Sequence, residues 1–290
     1  MKRLYGLFRR QGLKRRQHCT RGYLGLELSG EIMNDIRSYY DAETKLGPDR
    51  SVLDAKDTSG KKNRYITRLR DRAILDALDK TPPASRILDF GCGSGNLSMV
   101  LDKEGYCIVG VDVSFDILRH TKDHQFNNGG LFLQYDGQQL PISSNSLDVC
   151  VTYAVLGHFV DLALLRLISK EILRVLKPGG KVVLVEQTCR KSVIKSKNLK
   201  IIRSVKEYVQ ILSESGFRNR GNIIIRRGHF PLIYLIRYGF IPARIFPYIA
   251  RLESLWGRVF GQPYFDYADT VFVAEKPSDS GLSCKEQYVS

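Results

Sequence analysis

The chain has 290 residues and 33.0 kDa, of which 43% are hydrophobic, 10% aromatic and 26% charged. That is enough for one large packed core, and it excludes a disordered, collagen-like or disulfide-scaffold chain. Forty-five Lys and Arg against 30 Asp and Glu give a net charge of +15, so an anionic partner must be considered. The surplus sits in two segments. Eight bases and no acid precede Glu27, and from Arg190 to Arg227 eleven bases face only Glu207 and Glu214; the remainder is close to neutral.

Six cysteines (Cys19, Cys92, Cys107, Cys150, Cys189, Cys284) are scattered without a CxxC pair or a Cys/His cluster at zinc spacing, which indicates free thiols in a reducing compartment and no metal site. The greasiest stretch, Phe230 to Phe260, is broken by Arg237, Pro242, Arg244 and Pro247, which rules out a membrane-spanning helix there. The expected location is cytoplasmic, with peripheral membrane contact as an extension. The Arg-rich, acid-free N-terminus also suits a mitochondrial presequence, a minority alternative to a solvated basic tail.

In chain order, residues 1–60 read as a basic, irregular extension and lid, within which Glu31 to Tyr40 suits a short helix. Helical spacing of Ile66, Leu69, Ala73, Ile74, Ala77 and Leu78 predicts a helix over Tyr65 to Asp79, stopped by Thr81-Pro82-Pro83. Apolar runs at Ile87 to Phe90, Cys107 to Val111, Leu131 to Tyr135, Leu147 to Ala154 and Val182 to Val185 predict strands. They alternate with helices at Asn96 to Lys103, Phe115 to Gln125 and Leu162 to Leu176. A further helix is expected over Val205 to Ser215, and two late strands over Asn222 to Ile225 and Thr270 to Ala274. Runs apolar on both faces that alternate with helices predict an open α/β fold, with its ligand at the carboxyl ends of the strands. Residues 61–276 form this domain, with an aromatic and basic insertion at about 229–262, and 277–290 are a frayed tail.

The sharpest motif is Asp89-Phe90-Gly91-Cys92-Gly93-Ser94-Gly95, between a strand and a helix. Its glycines permit a sharp turn and a close backbone approach to a ligand. It fits the dinucleotide fingerprint poorly, because Asn96 stands where the third glycine belongs. Asp112 ends the second predicted strand, where such folds place a ribose-binding acid, and Tyr135-Asp136-Gly137 ends the third.

These elements, in this order, resemble class I S-adenosylmethionine-dependent methyltransferases over Arg86 to Glu186, and more weakly over Val205 to Phe217 and Thr270 to Lys276. The phrase Leu173 to Gly180, LRVLKPGG, resembles the family's turn before its fifth strand. The resemblance implies a Rossmann-like, seven-stranded, mostly parallel sheet with helices on both faces and an antiparallel final strand. It also implies S-adenosylmethionine as cofactor, with Asp89, Gly91, Gly93 and Gly95 around the methionine part, Asp112 on the ribose, Val113 beside the adenine, Asp136 and Gly137 at the adenine edge, and Tyr153 at the exit of the fourth strand. A glycine loop without Lys or Arg suits a sulfonium cation better than a phosphate. His158 and Glu186 are the candidates for catalysis, each with a structural alternative: loop packing for His158, a cap or salt bridge for Glu186. Tyr39 and Tyr40 resemble an aromatic lid, with core packing as the alternative.

Arg237, Arg244, Arg251 and Arg258 recur every seven residues, but Pro242 and Pro247 divide the insertion into two or three short helices. An interfacial membrane element, a substrate lid and a dimer contact all suit it. The expected function is methyl transfer by in-line displacement to a small-molecule or lipid- or glycan-linked acceptor, anionic or membrane-associated, with the bases from Arg190 to Lys206 meeting the anion. The alternatives are an RNA methyltransferase, disfavoured by Tyr153-Ala154-Val155-Leu156 after the fourth strand, and a catalytically silent binding protein of the same fold.

Overall fold

Neighbouring residues in the central strands point to opposite faces of one sheet. Leu88, Cys150, Val182 and Leu184 enter one apolar cluster, while Ile87, Val149, Val151, Val183 and Val185 enter another across the sheet. This is why the strands read as continuous apolar runs and not as alternating ones. In the computed structural model, which describes residues 23–44, 54, 57, 59–195, 199–260 and 267–278, the sheet has seven strands.

Helices α1 (Tyr23–Thr44) and α2 (Lys61–Ala77) precede β1 (Arg86–Phe90), α3 (Asn96–Lys103), β2 (Cys107–Asp112), α4 (Phe115–Leu118), β3 (Leu131–Gln134), β4 (Leu147–Tyr153), α5 (Leu162–Val175) and β5 (Leu176–Thr188). After them come the short β6 (Val193–Lys195) and β7 (Lys200–Ile202), then α6 (Val205–Glu214), β8 (Arg218–Arg227), α7 (Leu232–Arg237), α8 (Phe246–Phe260) and β9 (Ala268–Glu275). The main sheet runs β3-β2-β1-β4-β5-β9-β8, and β6 and β7 pair separately. Pairs among β1 to β5 are parallel, and β9 is antiparallel to both neighbours. The Rossmann-like sheet with an antiparallel final strand is therefore observed.

Several boundaries differ from the sequence reading. A 22-residue helix, α1, covers Tyr23–Thr44, where an irregular chain with a short helix over Glu31 to Tyr40 is expected; its Met33 and Ile36 are buried in the main core, so tertiary packing sustains it. The expected helix Phe115 to Gln125 has one α-helical turn, capped by the Ser114 hydroxyl accepting from Ile117 N, and then tightens to a 3-10 turn over Arg119–Asp123. Strand β5 begins at Leu176, inside the segment read as a turn. The bases after β5 are partly folded into the β6–β7 hairpin. At α6, Ser204 and Glu207 form a reciprocal capping box, which fixes where that helix starts.

The insertion is two helices with an intervening 3-10 turn (Ala243–Ile245). Phe230, Ile233, Ile236, Ile241, Phe246 and Ile249 form a third apolar cluster around Tyr65 of α2. Pro247 lies in the first turn of α8, where a missing amide hydrogen costs nothing. Arg258 is helical in backbone, but its side chain and the basic N-terminus up to residue 22 lie outside the described residues, as does the tail beyond Ser278.

Candidate active site

The glycine loop is built by backbone geometry that only glycine takes without strain. Gly91, Gly93 and Gly95 have φ of 73°, 55° and 86°. A Cβ on Gly91 would stand 2.3 Å from Val155 Cγ2, so the loop is held against the segment that follows β4. Gly91 N and Cys92 N donate to Val111 O at 2.8 and 3.1 Å, tying the loop to the end of β2. There Asp112 Oδ2 accepts from Gly93 N at 2.9 Å and Oδ1 from Ser114 N at 3.0 Å. Burial pushes the Asp112 carboxyl above its usual range, and these backbone donors oppose the rise.

Asp89 does not line the cavity beside the loop. Its Oδ2 accepts from Ser98 Oγ at 2.6 Å, and burial pushes its carboxyl up to about 6 against the pull of that hydroxyl. Asp89 thus ties β1 to α3 and steadies the loop from behind. Asp136 is likewise turned to its own loop, accepting from Gln138 N at 2.8 Å and Gln139 N at 3.2 Å, and it is exposed. Gly137 (φ 95°) is covered by α1, since a Cβ there would lie 2.4 Å from Met33 Cγ.

A cavity of about 420 Å³ opens beside the loop at the carboxyl ends of the strands. Gly91, Gly93, Asp112 and Val113 line one part of it; Met33, Ile36, Tyr39 and Tyr40 of α1 line another; and Tyr153, His158, Phe159, Lys200 and Arg226 line the rest. Helix α1 is fixed over it by Arg37 Nε donating to Val113 O at 3.0 Å and by Ser114 Oγ donating to Asp41 Oδ1 at 2.5 Å. The two tyrosines expected as a lid are therefore cavity residues. Tyr153 sits under the Arg70 guanidinium, 4.9 Å from its ring centroid, and burial holds its phenol up at about 12.

His158 follows β4 on the 3-10 turn Leu156–His158. Its Nδ1 is 3.0 Å from Leu199 O and its Nε2 is 2.7 Å from Tyr40 Oη. Burial, aided by the charge of Lys200, holds the imidazole down to about 4, so it is neutral at physiological pH. A carbonyl can only accept, so the ring hydrogen sits on Nδ1 and Nε2 accepts the Tyr40 proton. Glu186, the second candidate for catalysis, is 3% exposed and does not line the cavity. Its Oε1 accepts from Val155 N at 2.9 Å and Leu156 N at 2.7 Å, and burial pushes its carboxyl up to about 7. It acts on the turn that carries His158. Arg203 braces the same turn, its guanidinium donating to Leu156 O, Phe159 O and Val160 O. One base of the basic segment is thus a buried brace and no part of a charged surface.

Residues 88–184 match the protein family described as "Methyltransferase domain". The chain is similar to tRNA (carboxymethyluridine(34)-5-O)-methyltransferase ALKBH8 of Macaca fascicularis, 34% identical over 131 residues, 44% of this chain and 18% of that protein. It is also similar to 2-methyl-6-phytyl-1,4-hydroquinone methyltransferase of a Synechocystis strain, 33% identical over 111 residues, 38% of this chain and 34% of that one. The chain thus matches 18% and 34% of the length of these two relatives. Among solved structures, geranyl diphosphate C-methyltransferase from Streptomyces coelicolor A3(2), in complex with Mg2+, geranyl diphosphate and S-adenosyl-L-homocysteine, superposes with a TM-score of 0.59. That match is at 16% identity, over 84% of this chain and 97% of that one, and shows a shared fold.

Proposed function

Since this chain carries a class I S-adenosylmethionine-dependent methyltransferase domain, we propose that it methylates a small, anionic or membrane-associated acceptor held in the cavity under α1. One observation carries the reading: a single cavity runs from Gly91, Gly93 and Asp112 to His158, Tyr40 and Lys200, which gives cofactor and acceptor adjoining places in one cleft. The residues present suit the cofactor. The loop backbone closes where a Cβ would collide with Val155, no Lys or Arg stands between Asp89 and Asn96, and Asp112 with Val113 would hold the nucleoside part. S-adenosylmethionine supplies an electrophilic methyl on a cationic sulfur.

Everything else is asked of the protein. The cavity aligns the acceptor with the methyl group and excludes water, an effect worth roughly 7–11 kcal/mol in favourable systems. Neutral His158 takes the acceptor proton at Nε2, either directly or through Tyr40, which passes its phenolic proton to His158 as it receives one. Glu186 and Arg203 hold the turn so that Nε2 keeps its direction. The two small-molecule relatives, named for a phytyl hydroquinone and for geranyl diphosphate, support a lipid-type acceptor.

The insertion supports peripheral attachment to an anionic membrane. With its inner face spent on Tyr65 and the third cluster, it still exposes Tyr238 by 70%, Phe240 by 75%, Tyr248 by 67% and Val259 by 75%, beside exposed Arg244 and Arg251. Such a basic, aromatic outer face suits the headgroup region of a bilayer. A tRNA acceptor is the second reading, favoured by the similarity to ALKBH8 and by the net charge of +15. Incubating the protein with methyl-labelled S-adenosylmethionine and, separately, total lipid extract, small metabolites or tRNA decides between them. Label entering the lipid or metabolite fraction alone supports the proposal, and label entering tRNA alone rejects it.

A further inference from the structure

The end of the cavity away from the glycine loop is walled by three residues that no motif marks. Arg226 on β8 and Asp269 on β9 are directly paired in the antiparallel register, and Tyr267 precedes β9. All three line the cavity. The Arg226 and Asp269 side chains are only 4% and 6% exposed. Arg226 Nε donates to Asp269 Oδ2 at 2.7 Å, Nη2 reaches toward Tyr267 Oη at 3.4 Å, and the guanidinium lies 5.4 Å from the Tyr267 ring centroid. The side edge of the guanidinium is therefore spent on the protein. The Arg226 bonds found among the described residues run through Nε and Nη2, not Nη1, and Asp269 Oδ1 is buried without a partner there.

A buried ion pair is a poor way to gain stability, because desolvation offsets the attraction and an apolar pair of similar volume serves as well or better. What this pair supplies is orientation. A guanidinium fixed through Nε keeps a planar fork of donors aimed one way, which suits two oxygens of an oxyanion. Lys200 lines the same cavity, its charge acting on Glu186 and His158 nearby, and supplies a second positive charge there for an anion. Lys62, the third cation there, is occupied by Asp54 at 2.6 Å.

Building on the proposed methyl transfer, we propose that Arg226, oriented by Asp269 and Tyr267, binds a carboxylate or phosphate group of the acceptor and so decides which molecules are methylated. Its register partner Asp269 is a positioning residue. Three of the chain's bases, Arg203, Arg226 and Lys200, then have roles in or directly behind the cavity, separate from any exposed basic surface.

The test is calorimetry of the full chain saturated with S-adenosylhomocysteine, using phenyl phosphate and benzoate as probes of the two oxyanions. Wild type is expected to bind at least one of them saturably, and which one distinguishes phosphate from carboxylate. Arg226→Gln and Arg226→Lys are each expected to weaken that binding 10-fold or more while S-adenosylhomocysteine affinity stays within two-fold. The double variant Arg226→Met/Asp269→Leu removes both charges together and preserves apolar packing, which keeps the test open if the single variants do not fold. A wild type that binds S-adenosylhomocysteine but neither probe overturns the oxyanion site, as does a folded variant with wild-type probe affinity. Failure to bind S-adenosylhomocysteine at all would count against the methyltransferase reading, a separate result.

Discussion

Tyr40 Oη lies 2.7 Å from His158 Nε2, and this bond joins α1 to the turn after the fourth strand across 118 positions of sequence. The helix that closes the cavity and the residue best placed to take a proton are thereby one unit. His158 is held on its other side by Leu199 O at 3.0 Å, so its tautomer is fixed from both ends.

The neutral state of His158 can be measured without any acceptor. Nitrogen NMR of the imidazole is expected to show hydrogen on Nδ1 and a titration midpoint near 4. Because the folded value lies below the unfolded one, His158 contributes stability that is present above pH 6.5 and is lost as pH falls toward 4. A midpoint of 6 or above would contradict the buried, neutral assignment.

Glu186 pulls in the opposite direction. Its folded carboxyl is raised to about 7 from 4.5, so the native state holds a proton that the unfolded chain has released. Its contribution is complete below pH 4.5 and declines as pH rises through 7. Between pH 6 and 8 wild type should lose about 1 kcal/mol more stability than Glu186→Gln does, a difference read from denaturant midpoints at the two pH values. Equal losses would show that Glu186 does not titrate there.

At Gly91 both backbone and space oppose a side chain, with φ at 73° and Val155 Cγ2 at 2.3 Å from an added Cβ. Gly91→Ala should cost about 2–4 kcal/mol and weaken cofactor binding. Adding Val155→Ala relieves the collision but not the left-handed backbone, so it should restore stability only in part. Full recovery would place the whole cost in the collision.

Sedimentation with phosphatidylglycerol vesicles tests the outer face of the insertion. Wild type should pellet at low salt, and Arg244→Ser/Arg251→Ser should shift toward the supernatant, as should Tyr248→Ser. Wild type remaining in the supernatant at low salt would end the membrane reading.

The strands and the glycine loop were legible because their signals are local: apolar runs of strand length, glycines where φ is positive, and Asp112 closing a strand. The length of α1 was not, since Gly25 and Gly30 break its pattern while Met33 and Ile36 gain their burial from distant strands. Asp136 stands at the expected position in the chain, yet its carboxylate satisfies two amides of its own loop. That choice is invisible in the residue letters. Glu186 had two readings, and the backbone donors it accepts from appear only once β4 and β5 are paired. Arg226 and Asp269 lie 43 positions apart and meet only through the β8–β9 register. The basic segment from Arg190 to Arg227 therefore contains two buried arginines, Arg203 and Arg226, at 1% and 3% exposure, which its charge count alone does not separate from exposed ones.

The central claim is that Asp112 and the glycine loop hold S-adenosylmethionine, and calorimetry with that compound tests it most directly. Wild type should bind it saturably, and Asp112→Ala should bind about 10- to 100-fold more weakly, as expected for loss of a hydrogen bond to a charged group. No binding at millimolar concentration, or unchanged affinity in Asp112→Ala, would contradict it.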